Sequence, residues 1–426
     1  MAAGSAAAAV EIAPTPPMGW NSWDSFGTSV TEAEVKANAD YMASHLKSHG
    51  WQYVVVDIQW SEPNPQPHGY RPNTTLIMDG YGRLTPAPNR FPSAVDGLGF
   101  RPLADYIHRK GLKFGIHIMR GIPRQAVRAN TPIFHSEYHA ADIADTNSLC
   151  RWNTDMYGID MKKPGAQDYY DSLIQLYVMW GVDYIKADDM SSPFHADEIA
   201  ALHRAIAKSG RAIVLSLSPG PAPLSQAAFL AANANLWRIS GDFWDRWSSL
   251  RANFDLLHQW SAYARPGSWP DADMLPLGHI GIRAEVGGDR LTHFTPDEQR
   301  TLITLWCVAR SPLMYGGDLP GTDDFTLSLI TNDEVLTADQ KATNSHQLFA
   351  RGDQVAWVSE EGNARYLAVF NLNDQNPEEI RVNWKDLDLP ETCPVRDLWD
   401  HKNLGKVAGG YDFKVPPHGA GFYKLR

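Results

Sequence analysis

The stretch YVVVDIQW, residues 53–60, begins as an apolar run rich in valine and changes character at Asp57. Such a run is typical of a strand that is buried on both faces, as in a parallel sheet covered by helices. At the end of this predicted strand the acidic residue Asp57 is followed directly by the aliphatic residue Ile58. Apolar runs that end in polar residues recur along the chain, and this repetition decides the predicted fold.

Eight strand-like runs alternate with longer helical patterns between residues 12 and 341. The first helical pattern begins with a capping box of Thr31 and Glu34 and ends at Gly50. The runs are MGWNSW (18–23), YVVVDIQW (53–60), KFGIHI (113–118), DYIKADD (183–189), AIVLSLS (212–218), NLWRISGD (235–242), SWPDADML (268–275) and SPLMYGG (311–317). They predict an α/β fold, a closed (β/α)8 TIM barrel over residues 12–341, with the polar strand ends together on its C-terminal face. A doubly wound sheet is the competing fold, but the glycine-rich turn that it requires after its first strand is absent from the sequence.

After residue 341 the pattern changes to period-two runs separated by turn residues. These runs are QVAWVSEE (354–361), RYLAVFNL (365–372), EEIRVNW (378–384), PVRDLWD (394–400) and YDFKVPP (411–417). They predict a C-terminal antiparallel β-sandwich domain over residues 342–426. The Ala-rich start, residues 1–11, is expected to be a flexible leader, because it lacks the basic region and the longer apolar core of a signal peptide.

Composition narrows the classes of function. The formal net charge of -11 disfavours binding to nucleic acid, which depends on clustered Lys and Arg. No apolar run approaches the roughly 20 residues that a membrane span needs. Cys150, Cys307 and Cys393 are too few and too far apart for a disulfide framework, so we expect a cytoplasmic protein, with secretion left open if a leader was trimmed. Helices around a barrel can support a homo-oligomer.

Two more strand ends are acidic, at Asp188 in YIKADD and at Asp242 in WRISGD. Glycoside cleavage with retention needs a nucleophilic carboxylate and a proton-donating carboxyl group about 5–5.5 Å apart. The fourth and sixth strands of a barrel can place two Asp side chains across such a gap. Lys186 shares a strand face with Asp188 and favours its ionised form, and Arg238 can bind a sugar hydroxyl or a carboxylate. A single strand-end Asp more often caps a helix, so the prediction depends on Asp57, Asp188 and Asp242 sharing one face.

Other catalytic chemistries fit the sequence less well. His195 and His203 are eight residues apart on a predicted helix rather than four, so no metal site is predicted. The sequence contains no Gly-x-Ser-x-Gly elbow, which argues against a serine hydrolase. Carboxylate chemistry of the kind predicted here requires no cofactor.

Six motifs occur in a fixed order: PPMGWNSW, GYGRLTPAPNRFPS, GLKFGIH, YIKADD, LWRISGD and PDADML. This ordered set resembles family 27 of the glycoside hydrolases over most of residues 14–320. That family contains α-galactosidases, α-N-acetylgalactosaminidases, β-L-arabinopyranosidases and isomaltodextranases. The resemblance implies a retaining enzyme on a (β/α)8 barrel followed by an antiparallel β-domain, acting on a terminal galacto-configured sugar.

The resemblance also implies roles for five residues. Asp188, in the Lys-x-Asp motif, would be the nucleophile, and Asp242, in the Arg-x-x-x-Asp motif, would be the general acid/base. Lys186 would bind O3 and O4 of the sugar, and Arg238 would contact the side of its 2-hydroxyl group. Trp23 would pack on the sugar near C5 and C6, unless its ring only plugs the barrel.

The chain departs from the family pattern at several positions. His117 lies where many members have Tyr, and we expect it to line the pocket. Met190 replaces a cysteine of a family disulfide, which fits a reducing compartment. In SLSPGP (216–221), Ser218 is expected to occupy the position that recognises the substituent at C2 of the sugar. A substrate with a 2-acetamido group at C2 therefore stays an alternative.

The most informative departure is Asp57-Ile58, which replaces a tandem Asp-Asp. In the galactosidases the two acids bind the axial O4 and the hydroxyl on C6. Ile58 offers that second hydroxyl no acceptor, which costs about 1–3 kcal/mol, whereas L-arabinopyranose lacks the hydroxymethyl group altogether. Family members with an aliphatic residue here are associated with β-L-arabinopyranosidase activity. We therefore expect a retaining exo-glycosidase that releases terminal β-L-arabinopyranose.

Three alternatives stay open at this point. An α-galactosidase or an α-N-acetylgalactosaminidase would follow if Ile58 only packs the top of the barrel and another loop binds O6. A non-catalytic sugar-binding protein is the alternative from another class.

Overall fold

The computed structural model describes residues 12–71 and 74–426, so residues 1–11, the predicted leader, lie outside the described part. Each of the eight predicted runs in the first domain coincides with or overlaps one strand of a single parallel sheet. These strands are β1 (Met18–Asn21), β2 (Tyr53–Val56), β3 (Lys113–Met119), β4 (Tyr184–Asp188), β5 (Val214–Leu217), β6 (Leu236–Arg238), β7 (Trp269–Asp271) and β8 (Leu313–Tyr315). All of them except β3 are shorter than the runs, because many of the polar residues at the carboxyl ends leave the hydrogen-bonded ladder.

The sheet closes on itself. Its strands are ordered β8-β1-β2-β3-β4-β5-β6-β7, and neighbours pair in parallel. A parallel bridge between Leu275 and Tyr315 joins the segment after β7 to β8. There the N–H of Leu275 donates to the carbonyl oxygen of Met314 at 2.8 Å, and the N–H of Gly316 donates to that of Leu275 at 3.0 Å. The predicted (β/α)8 TIM barrel is confirmed.

Helices follow every strand and cover the barrel. The main ones are Glu32–Tyr41, Arg101–Arg109, Ala166–Trp180, Ala196–Ser209, Ala227–Asn233, Trp247–Trp260, Pro296–Ala309, Asp324–Ile330 and Asp333–Lys341. The predicted capping box is present, since Thr31 and Glu34 each accept a hydrogen bond from the other's backbone N–H. A π-helical turn (Met42–Leu46) and a 3-10 turn (Lys47–His49) then lead to Gly50, which has a left-handed conformation with φ 97°.

The loops of the barrel carry shorter elements. The short helices are Trp23–Phe26, Arg124–Ala129 and Ala140–Ile143. The short strands are Ile122–Pro123, Ala144–Asp145, Met156–Ile159, His279–Ile280 and Arg290–Leu291. Among the residues described, no helix is both long and apolar enough to cross a membrane. All three cysteines are buried free thiols.

The C-terminal part consists of two antiparallel sheets, so the predicted β-sandwich is confirmed. Its strands are β9 (Thr343–Arg351), β10 (Gln354–Glu361), β11 (Ala364–Asn371), β12 (Glu378–Asn383), β13 (Thr392–Asp397), β14 (Lys402–Ala408), β15 (Gly410–Val415) and β16 (Ala420–Leu425). The larger sheet has the order β9-β10-β11-β16-β13-β14, and β12 pairs with β15. The sequence patterns do not predict β9, β14 or β16. Few residues of β9 and β14 are apolar, and neither strand buries a residue fully.

The larger sheet is buried on both faces where it meets the barrel. Ala356 and Val358 of β10 pack toward the two-stranded sheet, whereas Val355 and Trp357 belong to the apolar core of the barrel. Helix Pro296–Ala309 packs against this side of the sheet. The two domains therefore share one core.

Candidate active site

A cavity of about 350 Å³ opens at the carboxyl ends of the barrel strands. Because parallel strands end on the same face of a barrel, side chains far apart in the sequence meet there. Seven of the predicted site residues line this cavity: Trp23, Asp57, Ile58, Lys186, Asp188, Arg238 and Asp242.

The two predicted catalytic acids differ in exposure. The side chain of Asp188 is 12% exposed, and that of Asp242 is 58% exposed. Asp188 is the last residue of β4, whereas Asp242 lies four residues beyond the end of β6. Asp188 therefore lies at the floor of the cavity and Asp242 at its mouth.

Asp188 is held by hydrogen bonds to both carboxylate oxygens. His117 Nε2 lies 3.0 Å from Oδ2, and the backbone N–H of Asp189 donates to Oδ1 at 2.9 Å. Burial alone would raise the pKa of Asp188, but the hydrogen bond from His117 and the charges of His117 and Lys186 outweigh it and lower the pKa to about 2. This carboxylate is therefore ionised at any ordinary pH.

Asp57 and Lys186 form a buried ion pair beside Asp188. Lys186 Nζ donates to Asp57 Oδ2 at 2.9 Å, and Asn21 Nδ2 donates to the same oxygen at 2.7 Å. Burial raises the pKa of Asp57, but the charges of Lys186 and His117 outweigh it and the pKa is lowered. Lys186 is thus close enough to Asp188 for its charge to favour the ionised form, as predicted, but its hydrogen bond goes to Asp57.

Arg238 connects the mouth of the cavity to a second buried acid. Its Nη2 lies 3.1 Å from Asp242 Oδ1 and 2.7 Å from Asp273 Oδ2. Burial raises the pKa of Asp273 to about 6, although the charge of Arg238 opposes the increase. Burial lowers the pKa of Arg238, but the charges of Asp273 and Asp242 outweigh it and raise the pKa. The guanidinium thus stays charged and holds the more exposed Asp242.

Ile58 forms an apolar wall next to Asp57. It is 5% exposed, and its N–H donates to Asp57 Oδ1 at 2.8 Å. Its side chain belongs to a buried apolar cluster that includes Trp23, Met119 and Met156. The wall of the cavity at this point offers hydrocarbon rather than a hydrogen-bond acceptor.

Two predicted positions do not line the cavity. His117 is 1% exposed and lies beneath Asp188, because it belongs to the interior of β3 rather than to its end. Ser218 is held in the barrel wall, since its N–H donates to the carbonyl oxygen of Ala187 and its own carbonyl oxygen accepts from the N–H of Met190, both at 2.9 Å. The adjacent Pro219 lines the cavity instead. Neither residue is among the side chains that line this cavity, and their roles toward the sugar stay predictions.

Several residues that line the cavity were not predicted from the sequence. The main ones are Asp24, Tyr70, Trp152, Trp244, Asp273 and Glu285. Asp273 lies in the PDADML motif and Asp24 directly follows NSW, so motif position could have indicated both. Tyr70 and Trp152 lie in long loops after β2 and β3, where no periodic pattern indicates a site.

A barrel whose strand ends surround a cavity with paired carboxylates has the groups that cleavage of a glycosidic bond requires. The sequence matches the family model described as "Alpha galactosidase A" over residues 15–163 and 153–341. Residues 351–425 match the model of the "Alpha galactosidase C-terminal beta sandwich domain". The chain belongs to glycoside hydrolase family 27. It is a glycoside hydrolase, and its substrate is a carbohydrate.

Relatives cover nearly the whole chain. Alpha-galactosidase 2 of Arabidopsis thaliana is 28% identical over 421 residues, which are 97% of this chain and 90% of the relative. Among solved structures, a family 27 β-L-arabinopyranosidase from Geobacillus stearothermophilus in complex with arabinose is 55% identical, with a TM-score of 0.96 and 97% of each chain covered. α-Galactosidase I from Mortierella vinacea is 26% identical, with a TM-score of 0.74 and 98% of each chain covered.

Proposed function

We propose that this glycoside hydrolase is an exo-acting, retaining β-L-arabinopyranosidase. The observation that carries the proposal is the position of Ile58 in the cavity wall beside the ionised Asp57. The hydroxymethyl group of a galactoside would lose a hydrogen-bond partner against this hydrocarbon, at a cost of about 1–3 kcal/mol. L-Arabinopyranose has the same ring configuration without that group. The 55% identity to a β-L-arabinopyranosidase solved with arabinose supports the same choice.

The proposed mechanism is a double displacement. Asp188 attacks the anomeric carbon while Asp242 gives its proton to the leaving oxygen, which forms a covalent glycosyl-enzyme. Asp242 then takes a proton from a water molecule, and that water releases the sugar with its original anomeric configuration. The ionised state of Asp188 and the exposure of Asp242 at the mouth support these roles.

Four further side chains would hold the sugar. Asp57 and Lys186 form an ion pair with both acceptor and donor capacity, which suits the axial O4 and the neighbouring O3. Arg238 would contact the 2-hydroxyl group from the opposite side. Trp23 would cover the apolar face of the ring near C5.

Parallel rate measurements test the choice of sugar. The value of kcat/KM is measured for nitrophenyl β-L-arabinopyranoside and for nitrophenyl α-D-galactopyranoside under the same conditions. We expect the higher value on the arabinoside. Residual activity on the galactoside is also expected, because an apolar pocket rejects an added hydroxyl by only about a hundredfold.

An α-galactosidase is the second candidate. It is favoured by the relatives from Arabidopsis thaliana and Mortierella vinacea, which are α-galactosidases. A higher kcat/KM on the galactoside would establish it in place of the first proposal.

Variants of the two acids test the mechanism. We expect Asp188→Asn to abolish turnover of every substrate, because no nucleophile remains. Asp242→Asn should slow substrates with poor leaving groups far more than those with good ones, because only the former need proton donation. NMR identifies the product anomer that forms first, and we expect it to have the anomeric configuration of the substrate. Formation of the opposite anomer, or turnover by Asp188→Asn at the parent rate, would contradict the mechanism.

A further inference from the structure

We propose that Ile58 is a movable wall, and that an internal cavity behind it determines how well the enzyme accepts a sugar with a hydroxymethyl group at C5. The inference rests on the proposed function in one respect, namely that C5 of the bound sugar faces Ile58. It adds the part of the molecule that sets the activity on a second class of substrate, the α-galactosides.

Ile58 separates two cavities. Its side chain lines the catalytic cavity of about 350 Å³ and also an internal cavity of about 30 Å³. No other residue in the described part of the chain lines both. The internal cavity lies between the ends of β2 and β3 and the helix Ala166–Trp180, and at its polar end Gln59 Nε2 donates a hydrogen bond to Asp155 Oδ2. Ile58 is therefore the partition between the sugar and the internal cavity.

Most of the internal cavity is lined by apolar side chains that can adapt. Leu76 and Leu173 line it and are 5% and 6% exposed. Met119 and Met156 line it as well, and both belong to the buried apolar cluster that contains Ile58. Methionine is unbranched and fits irregular gaps in a core. A hydrocarbon side chain that turns into this space would thus meet hydrocarbon.

The size of the internal cavity matches the group that distinguishes the two sugars. About 10–15 Å³ of such space holds one water molecule, so a cavity of about 30 Å³ holds about two atoms of that size. The hydroxymethyl group of a galactoside adds one carbon and one oxygen atom to the arabinopyranose ring. Rotation about the Cα–Cβ bond of Ile58 moves its ethyl branch, which has two carbon atoms, between staggered positions. Moving this branch into the internal cavity would free space of the required size beside the sugar.

The internal cavity makes this movement possible because packed protein interiors otherwise yield little. An arabinoside binds with Ile58 in its resting position. A galactoside binds only when the ethyl branch turns away, and its hydroxyl still finds no acceptor on Ile58. The arabinoside therefore stays the preferred substrate, and the internal cavity sets how far the galactoside falls behind.

Variants that change the volume of the internal cavity test this inference. The measured quantity is the ratio of kcat/KM for galactoside to kcat/KM for arabinoside, with the two nitrophenyl substrates. In Leu76→Phe we expect the ratio to fall by about tenfold, because the filled cavity no longer receives the ethyl branch. Leu173→Phe fills the cavity from the helix and should act in the same way. Leu76→Ala enlarges the cavity and should raise the ratio.

Two further variants serve as controls. Leu176→Phe makes the same substitution on the same helix at a residue that is 7% exposed and lines neither cavity, so it should keep the parent ratio. Ile58→Val shortens the branch that has to move, so adding Leu76→Phe to it should lower the ratio far less than in the parent. A parent ratio in both filled variants, or an equal fall in Leu176→Phe, would overturn the proposal.

Crystals of the parent enzyme soaked with galactose or with L-arabinose show the movement directly. We expect the ethyl branch of Ile58 to occupy the internal cavity in the galactose complex and to face the sugar in the arabinose complex. The same position of this side chain in both complexes would overturn the movable wall.

The test separates this inference from the proposed function. A parent ratio above one would overturn the proposed β-L-arabinopyranosidase. The change of that ratio in Leu76→Phe would still decide whether the internal cavity receives Ile58.

Discussion

At the scale of the residue, the choice of sugar depends on one side chain beside Asp57. Ile58→Asp would place an acceptor in the wall of the cavity where the parent has hydrocarbon. Because pairing a buried hydroxyl is worth about 1–3 kcal/mol, we expect the ratio of kcat/KM for galactoside to arabinoside to rise about tenfold or more. The two nitrophenyl substrates measure this ratio.

A matched variant separates hydrogen bonding from space. Ile58→Ala removes the branched side chain without adding an acceptor, so its ratio should rise less than that of Ile58→Asp. An equal rise in both variants would mean that volume decides the preference. A ratio that stays at the parent value in both would mean that another loop binds O6.

The ionisation of Asp188 depends in the same way on a single neighbour. The hydrogen bond from His117 is the largest of the influences that lower its pKa against burial. In His117→Phe the carboxylate stays buried without that donor, so its pKa should rise from about 2. Since Asp188 attacks only when ionised, the acidic limb of kcat/KM should move to higher pH, which a pH profile measures.

A second substitution at this position keeps a donor. His117→Gln retains an N–H near the position of Nε2 and should shift the acidic limb less than His117→Phe. If the profile of His117→Phe coincides with that of the parent, His117 does not control the nucleophile.

At the scale of the element, each βα unit contributes its strand end to the cavity and its helix to the outer layer. The first helix begins at the capping box, where Thr31 Oγ1 accepts from the N–H of Glu34. Thr31→Ala leaves this donor without its partner and should lower the free energy of unfolding by about 1 kcal/mol, measured by urea denaturation. Thr31→Ser keeps the hydroxyl and should stay close to the parent. Equal stability of the Ala variant and the parent would contradict a role for the cap.

At the scale of the whole molecule, the sandwich is part of the same folding unit as the barrel. Trp357 is fully buried and belongs to the barrel's apolar core. Trp357→Ala should lower the free energy of unfolding by about 3–5 kcal/mol, with both domains still unfolding in one transition. Tryptophan fluorescence and circular dichroism in urea measure this. As a control, Lys414→Ala at an exposed position on β15 should change the free energy of unfolding by less than about 0.5 kcal/mol. Two separate unfolding transitions in Trp357→Ala would contradict a shared core.

The sequence by itself determined the barrel, the sandwich and many of the strand-end residues that share the cavity. These features depend on local periodicity, as in YVVVD, and on the rule that parallel strands end on one face, which brings Asp57, Asp188 and Asp242 together. The capping box of Thr31 was predictable for the same reason, since its partners are three residues apart.

Only the tertiary structure decided which side chains contact one another. His117 lies beneath Asp188 rather than in the cavity wall, and Lys186 pairs with Asp57. The ring of Trp152 stands at the mouth beside Tyr70. These contacts join residues from 71 to 129 positions apart in the sequence. No local pattern encodes such distances, because they arise from how strands of different length and long loops pack around a closed barrel.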